Sequence, residues 1–452
     1  MKHILLLGAL ILINSFFVSC KKLIDIDPPK NKLSQETLFQ SDDLATSVVT
    51  GIYSRMAISQ GSGSIHHLCG LSADEFINYN VGFAEFYKNK ITTISSSNTS
   101  LYSNCYSLIY SANALLEGLE GPNKVSQSIK KQLQGEALFI RAFHYFYLVN
   151  LYGPVPIQLI TDYNVTRKEP RSSVDLVYKQ IITDLKSSET LLTDTYITTD
   201  RVRPNLSTVD ALLARVYLYT KDWANAEKYA SLVISKSKLY NLEDPDKVFL
   251  KNSNEAIWQL FPPVNGNTEE GNFFILSSIP YNVSLSKDFM LQTFEINDKR
   301  KTNWTNSYTE GTETFFYPFK YKLQYTTAVT EYSMVLRLAE QFLIRAEART
   351  QQDKLSNAID DIDRIRSRAG LTLLRDNNPT ISKADLLILI QKERKAEFFS
   401  EWGHRWFDLK RTNQINLVLS PIKINWKSTD ALYPIPFEET TRNQNVKQND
   451  GY

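Results

Sequence analysis

The side chains with the greatest capacity for chemistry crowd into one stretch, LILIQKERKAEFFSEWGHRWFDLKRT. There Glu393, Arg394, Glu397, Glu401, Arg405, Asp408 and Arg411 are interleaved with Phe398, Phe399, Trp402, Trp406 and Phe407. Charges this dense on an aromatic-rich helix suit either an acid–base set or a network of paired structural ions. Their alternating sign favours pairs, because an unpaired buried charge is prohibitively costly. A second cluster, His66, His67 and Cys69, carries metal-ligating side chains. A tetrahedral site needs four ligands, and beyond residue 20 only His144, His404 and Cys105 remain to complete one, so no metal site is assigned. Cys69 and Cys105 are also the two cysteines left to form a disulfide, and sequence alone does not supply the geometry that would decide it. No HExxH, GxSxG or Gly-rich phosphate loop occurs, and none of the histidines shows a nucleophile partner.

These groups need a scaffold, and its centre is KKQLQGEALFIRAFHYFYLVNLYGPVPI, Lys130 to Ile157. Leu133, Ala137, Ile140, His144, Leu148 and Leu151 recur at helical steps, and from Phe139 onward the opposite side fills with Phe143, Phe146 and Tyr147. A helix apolar on nearly every side is buried on nearly every side. Gly153 and Pro154 then end it. Further helix starts are expected at Ser41 to Asp43 and at the capping boxes Ser172 to Asp175, Ser207 to Asp210 and Ser382 to Asp385. Two segments, ALLARVYLYTKDWANAEKYASLVIS and QFLIRAEARTQQDKLSNAIDDIDRIRSR, read as helix pairs with small residues in tetratricopeptide-like places. Ala214 and Ala226 in the first match Ala346 and Ala358 in the second. Helical period fails in two places. Asp74 to Ser103 gains aromatics and polar residues, Ile94 to Ser100 has loop composition, and helix returns at Tyr106. Residues 238–331 form an aromatic-rich insertion, and an irregular segment of that length in a compact domain generally has a function.

The chain begins with Lys2 and His3 ahead of an apolar run from Ile4 to Val18, followed by Ser19 and Cys20. That is the length of a signal-peptide core, with residues 1–19 removed and Cys20 placed as in a bacterial lipobox to become an acylated N-terminus. Phe17 stands where the lipobox usually has Leu. With 51 basic and 49 acidic residues the net charge is +2, which gives no nucleic-acid footprint.

Taken together, Cys20 with its basic tether, EALFIRAFHYFYLVNLYGPVPI, VLRLAEQFLIRAEA, ERKAEFFSEWGHRWFDLKR and the ending LYPIP…QNDGY resemble the SusD/RagB family of nutrient-uptake outer-membrane lipoproteins. The departures are Phe17, Asp450 where the terminal motif often has Pro, and Glu401-Trp402-Gly403 within the helix motif. The resemblance implies a mainly α fold, with tetratricopeptide-like helix pairs cradling an irregular, loop-rich half with minor β structure. It divides the mature chain into residues 20–237 and 238–452. It further implies a non-catalytic protein without cofactor or metal, lipid-anchored on the outer face of the outer membrane. Such a protein captures oligosaccharide for a SusC-like TonB-dependent transporter.

A sugar site needs ring faces for C–H stacking and amides or carboxylates for hydroxyls, on loops held by a rigid scaffold. Asp74 to Tyr102 and Phe261 to Tyr321 meet that description. The candidate stacking residues are Tyr281, Trp304 and Tyr308, each beside a polar neighbour, and Tyr79. Asn80 and Asp74 are the candidate polar contacts. Two other functions stay open. A helical glycoside hydrolase would require two carboxylates across a cleft, with Asp74, Glu75 and Glu85 available. A scaffold for protein partners would use the helix pairs.

Overall fold

The computed structural model describes residues 35–59, 65–262 and 266–452. The signal segment and Cys20 lie outside the described residues. No described helix is long and apolar enough to cross a membrane.

The fold is mainly α. The central helix spans Gln127–Tyr152, and every residue from Phe139 to Val149 on it is buried, as its all-round apolarity requires. Ser96–Glu120 packs on one side of it and Val174–Leu191 on the other. Gly153 ends the helix at φ +72°, a conformation that glycine adopts without steric cost. The carboxy-terminal segment docks on this exit. Tyr433 donates its backbone N–H to Leu151 (2.9 Å), and the Asn449 amide donates to the Tyr152 carbonyl (3.0 Å).

Two helix hairpins extend the array, Leu206–Tyr219 with Trp223–Ile234 and Leu338–Gln351 with Leu355–Ala369. The second helix of the first hairpin packs directly on the first helix of the second, although about a hundred residues separate them in sequence. Ala214, Ala226, Ala346 and Ala358 are fully buried, and Tyr217 stacks on Tyr229 with ring centroids 5.5 Å apart.

Several boundaries differ from the sequence expectation. The helix expected from Tyr106 begins at Ser96. Its polar first turns are held because buried Asn98 donates to the Pro434 carbonyl (2.8 Å) and accepts from the Tyr152 hydroxyl (3.0 Å). Ser382 caps its helix as expected, but the other two caps are displaced. Ser173, not Ser172, accepts from Leu176, and Asn205 with Thr208 forms the capping box assigned to Ser207. Cys69 and Cys105 are both buried and are not joined to each other in a disulfide.

Among the described residues there are eight short strands: β1 (Phe76–Asn78), β2 (Val155–Pro156), β3 (Arg171–Ser172), β4 (Ala256–Leu260), β5 (Val283–Leu285), β6 (Thr305–Glu310), β7 (Glu313–Pro318) and β8 (Ser333–Arg337). β2 pairs with β3, and β4 with β8 across the neck of the insertion. The insertion is therefore anchored at both ends. Between them β5, β6 and β7 join β1 in an antiparallel sheet of order β1-β5-β7-β6.

Where the neck meets the charged helix Lys383–Phe398, the ionic residues are paired, as their alternation suggested. Arg337 lies 2.9 Å from both Glu255 and Glu401 and also contacts Glu397. Arg368 bridges Glu255 and Glu397, while Arg300 meets Asp298 and Glu393 at 2.8 Å. Arg394 pairs with Asp408 and Arg411 with Asp408 and Glu347. The network ties the insertion to the helical array.

Candidate functional site

β1 and β5 pair in the register Phe76↔Leu285, Ile77↔Ser284 and Asn78↔Val283, which joins the two irregular stretches. Strand alternation buries Phe76, Val283 and Leu285, and turns Ile77 towards the other face with Ser284. The ladder runs one step further, with Tyr79 donating its backbone N–H to the Asn282 carbonyl (2.9 Å). Asn80 then donates its side-chain amide to Asn282 Oδ1 (2.9 Å), while its own Oδ1 accepts from the Gly82 backbone N–H (2.9 Å). Asn78 Nδ2 donates to the Asn80 carbonyl (2.8 Å). These bonds fix a turn that presents Tyr79, 41% exposed, while Tyr281, next to Asn282 in sequence, is 77% exposed. Val81 and Ile279 are also exposed there.

The ledge continues across the sheet. The Tyr79 ring meets Phe315 edge-on at 6.0 Å, and Tyr79 and Ser284 hydroxyls lie 3.1 Å apart. Phe315 is the register partner of Tyr308, so the two share a sheet face. Tyr308 donates its hydroxyl to Glu310 (2.8 Å). A groove of about 300 Å³ runs along this face between Tyr79, Ser284, Asp288, Glu313 and Phe315. Of the expected residues, Tyr79 and Asn80 thus come together, Tyr308 joins through Phe315, and Tyr281 is exposed next to Asn282 but outside the groove lining. Asn282, Ser284 and Phe315 were not singled out. The alternation in NVSLS is the sequence signal that could have found Asn282 and Ser284, whereas Phe315, in ETFFYP, has none.

Two expectations are corrected. Trp304 is not an accessible stacking platform: it is fully buried, donates Nε1–H to the Pro245 carbonyl (2.7 Å) and covers the ion network. The Lys320 ammonium lies 4.9 Å from its ring and the Arg368 guanidinium 5.3 Å. Asp74 is not a free hydroxyl acceptor. Arg405 grips both its oxygens (2.7 and 2.8 Å) and Lys395 adds a third contact (2.9 Å). Burial would raise its pKa, but Arg405 and Lys395 overcome this and hold the carboxyl well below the usual range.

The neighbouring carboxylates are committed too. Burial, reinforced by the charge on Asp74, pushes Glu75 up to about 8. Glu85 accepts from the Thr92 backbone N–H and hydroxyl. His66 and His67 lie on the buried helix Ile65–Ser72, and burial lowers His66 to about 4. His67 stacks on Phe273 with centroids 4.3 Å apart. Among the described residues no group of three or more His, Cys, Asp and Glu side chains is placed to hold a metal ion.

A larger cavity of about 770 Å³ opens beside the groove and shares Ile77, Ser286 and Asp288 with it. Tyr87, Phe289, Asp74 and several lysines line it. Ledge and cavity together offer ring faces, amides and charge to a polar, ring-containing ligand.

Comparison with known proteins places this architecture. Residues 216–452 match the model described as the SusD family, and residues 23–218 match one described as starch-binding and associating with the outer membrane. SusD-like protein P25 of Formosa agariphila is 24% identical, covering 96% of this chain and 95% of its own length. Among solved structures, a laminarin binding SusD-like protein superposes with a TM-score of 0.77 at 22% identity, over 92% of this chain and 100% of that one. Surface glycan-binding protein A from Bacteroides fluxus superposes with a TM-score of 0.74 at 20% identity, over 91% and 100%. With one family model matched over more than half of its length, the chain belongs to the SusD family.

Proposed function

We propose that this protein captures oligosaccharide on its ledge at the cell surface, as a lipoprotein anchored through Cys20, and passes it to a TonB-dependent outer-membrane transporter. The observation that carries the reading is the exposed Tyr79 ring, set edge-on to Phe315 along the groove, with the amides of Asn80 and Asn282 fixed beside it on a hydrogen-bonded ladder that also leaves Tyr281 exposed. Stacking surfaces and fixed hydroxyl partners on a rigid support are what a sugar ring requires. The glycan-binding neighbours that share the fold support the ligand class, and family membership supports the transporter partner.

Binding without catalysis is the favoured form. A hydrolase needs one carboxyl as acid and a second as nucleophile or base across the bond to be cleaved. Asp74 is spent on Arg405 and Lys395, Glu75 is buried, and Glu85 caps Thr92. The test is a panel of oligosaccharides read twice, by titration calorimetry and by release of new reducing ends. Saturable heat without new ends is the expected result; new ends from a purified sample overturn the non-catalytic reading, and no binding across the panel overturns the glycan reading.

A further inference from the structure

The cavity beside the ledge is lined by Lys88, Lys90, Lys395 and Lys423, with Asp74 and Asp288 as its carboxylates. Their partners are unevenly shared. Asp74 answers both Lys395 and Arg405, and Lys90 pairs with Asp430 outside the lining (2.6 Å). Lys423 is 6% exposed and donates only to the carbonyls of Leu71 (2.7 Å) and Tyr87 (2.9 Å), so no carboxylate meets it. A buried cation without a counter-charge is costly, and burial accordingly pushes the Lys423 ammonium down to about 7. Lys88, exposed at the rim, has no ion pair among the described residues. Two lysines of the lining, Lys88 and Lys423, therefore have no carboxylate in contact among the described residues, and Asp74 acts on Lys423 only at a distance.

The walls suit a sugar. Tyr87 and Phe289 supply apolar surface, and a volume of about 770 Å³ lies within the usual range for small-molecule sites. Ile77, Ser286 and Asp288 border both spaces, so the groove beside Tyr79 is continuous with the lysine-lined cavity.

We infer that the lysine-lined cavity seats an anionic substituent, and that the ligand is an acidic oligosaccharide carrying carboxylate or sulfate-ester groups. This inference rests on the ledge being a glycan site. An anion there supplies the counter-charge that Lys423 lacks and accepts charge-assisted hydrogen bonds from it and from Lys88.

The test titrates the full protein with three series of matched length: oligogalacturonides for carboxylate, sulfated galactan oligosaccharides for sulfate, and neutral galacto-oligosaccharides. One acidic series should bind more tightly than the neutral one, and more weakly as salt rises from about 50 mM to about 500 mM. Lys88→Gln, at an exposed position that tolerates the change, should weaken the acidic series about three- to fivefold, and Lys88→Glu should weaken it further. Neutral affinity should be unmoved by either. If neutral oligosaccharide binds as well as both acidic series, or if Lys88→Glu keeps wild-type affinity for the acidic one, the inference falls. The ledge reading then survives provided Tyr281→Ala still weakens binding. If no series binds, both fall together.

Discussion

Replacing Glu397 with glutamine tests how the insertion is tied to the helical array. Glu397 is fully buried, its Oε1 contacts Arg337 and Arg368, and its Oε2 lies 3.3 Å from Arg300. The amide keeps the shape but withdraws the charge that three guanidiniums share, and it turns N–H groups towards some of them. Removing one member of a buried ion pair costs about 3–5 kcal/mol, because the remaining charge stays desolvated. Glu397→Gln should lose that much in urea unfolding followed by tryptophan fluorescence. Glu438→Gln, which breaks an exposed pair with Arg442, should lose at most about 1 kcal/mol. The gap should also depend on pH. Burial opposes ionisation of Glu397, but Arg368, Arg337 and Arg300 outweigh it and hold the carboxyl far below its ordinary 4.5. Its folded pKa lies below the unfolded one, so its contribution is complete above about pH 5 and fades as acid is added through the unfolded value and below. Wild type and variant should therefore converge in acid. A loss no larger than that of Glu438→Gln at neutral pH would refute a network that holds the two parts together.

Three further outcomes are expected, the last from the sequence alone. Trp304→Ala should destabilise the protein by about 3–5 kcal/mol while leaving the glycan affinity of the folded fraction unchanged, as a core residue does and a binding platform does not. Glu75 behaves opposite to Glu397: burial raises its folded pKa to about 8, so its contribution is complete below the unfolded value and is lost as pH rises through about 8. Glu75→Gln should flatten that loss in melts between about pH 4.5 and about pH 8. Cys20→Ala should move the protein from the membrane pellet to the soluble fraction; retention in the pellet would place the anchor elsewhere.

Local signals in the sequence were legible because local physics decides them. The central helix was readable from its all-round apolarity, its end from Gly153, and the ion pairs from alternating charge on an aromatic helix. What was not legible depends on distant partners. Asp74 reads as a free carboxylate on a polar loop until Arg405, more than three hundred residues later, is brought to 2.7 Å. Trp304 has the same polar surroundings in sequence as Tyr281, yet one is sealed over the ion network and the other is 77% exposed. The serine-rich start of the Ser96–Glu120 helix has loop composition, and is held as helix by partners that Asn98 finds at distant Pro434 and Tyr152. Tyr79 and Tyr281 lie on two separate stretches, and the β1–β5 register that joins those stretches has no local signature.

The ledge itself is tested most directly by titrating Tyr79→Ala/Tyr281→Ala with an oligosaccharide that binds the wild type. Loss of stacked rings should weaken binding by about 1–3 kcal/mol per ring, by analogy with stacked bases, or roughly five- to 150-fold each. Tyr110→Ala, which removes a ring 55% exposed on the Ser96–Glu120 helix, should leave affinity unchanged. A natively folded double variant that binds as tightly as wild type would contradict the assignment of this ledge as the glycan site.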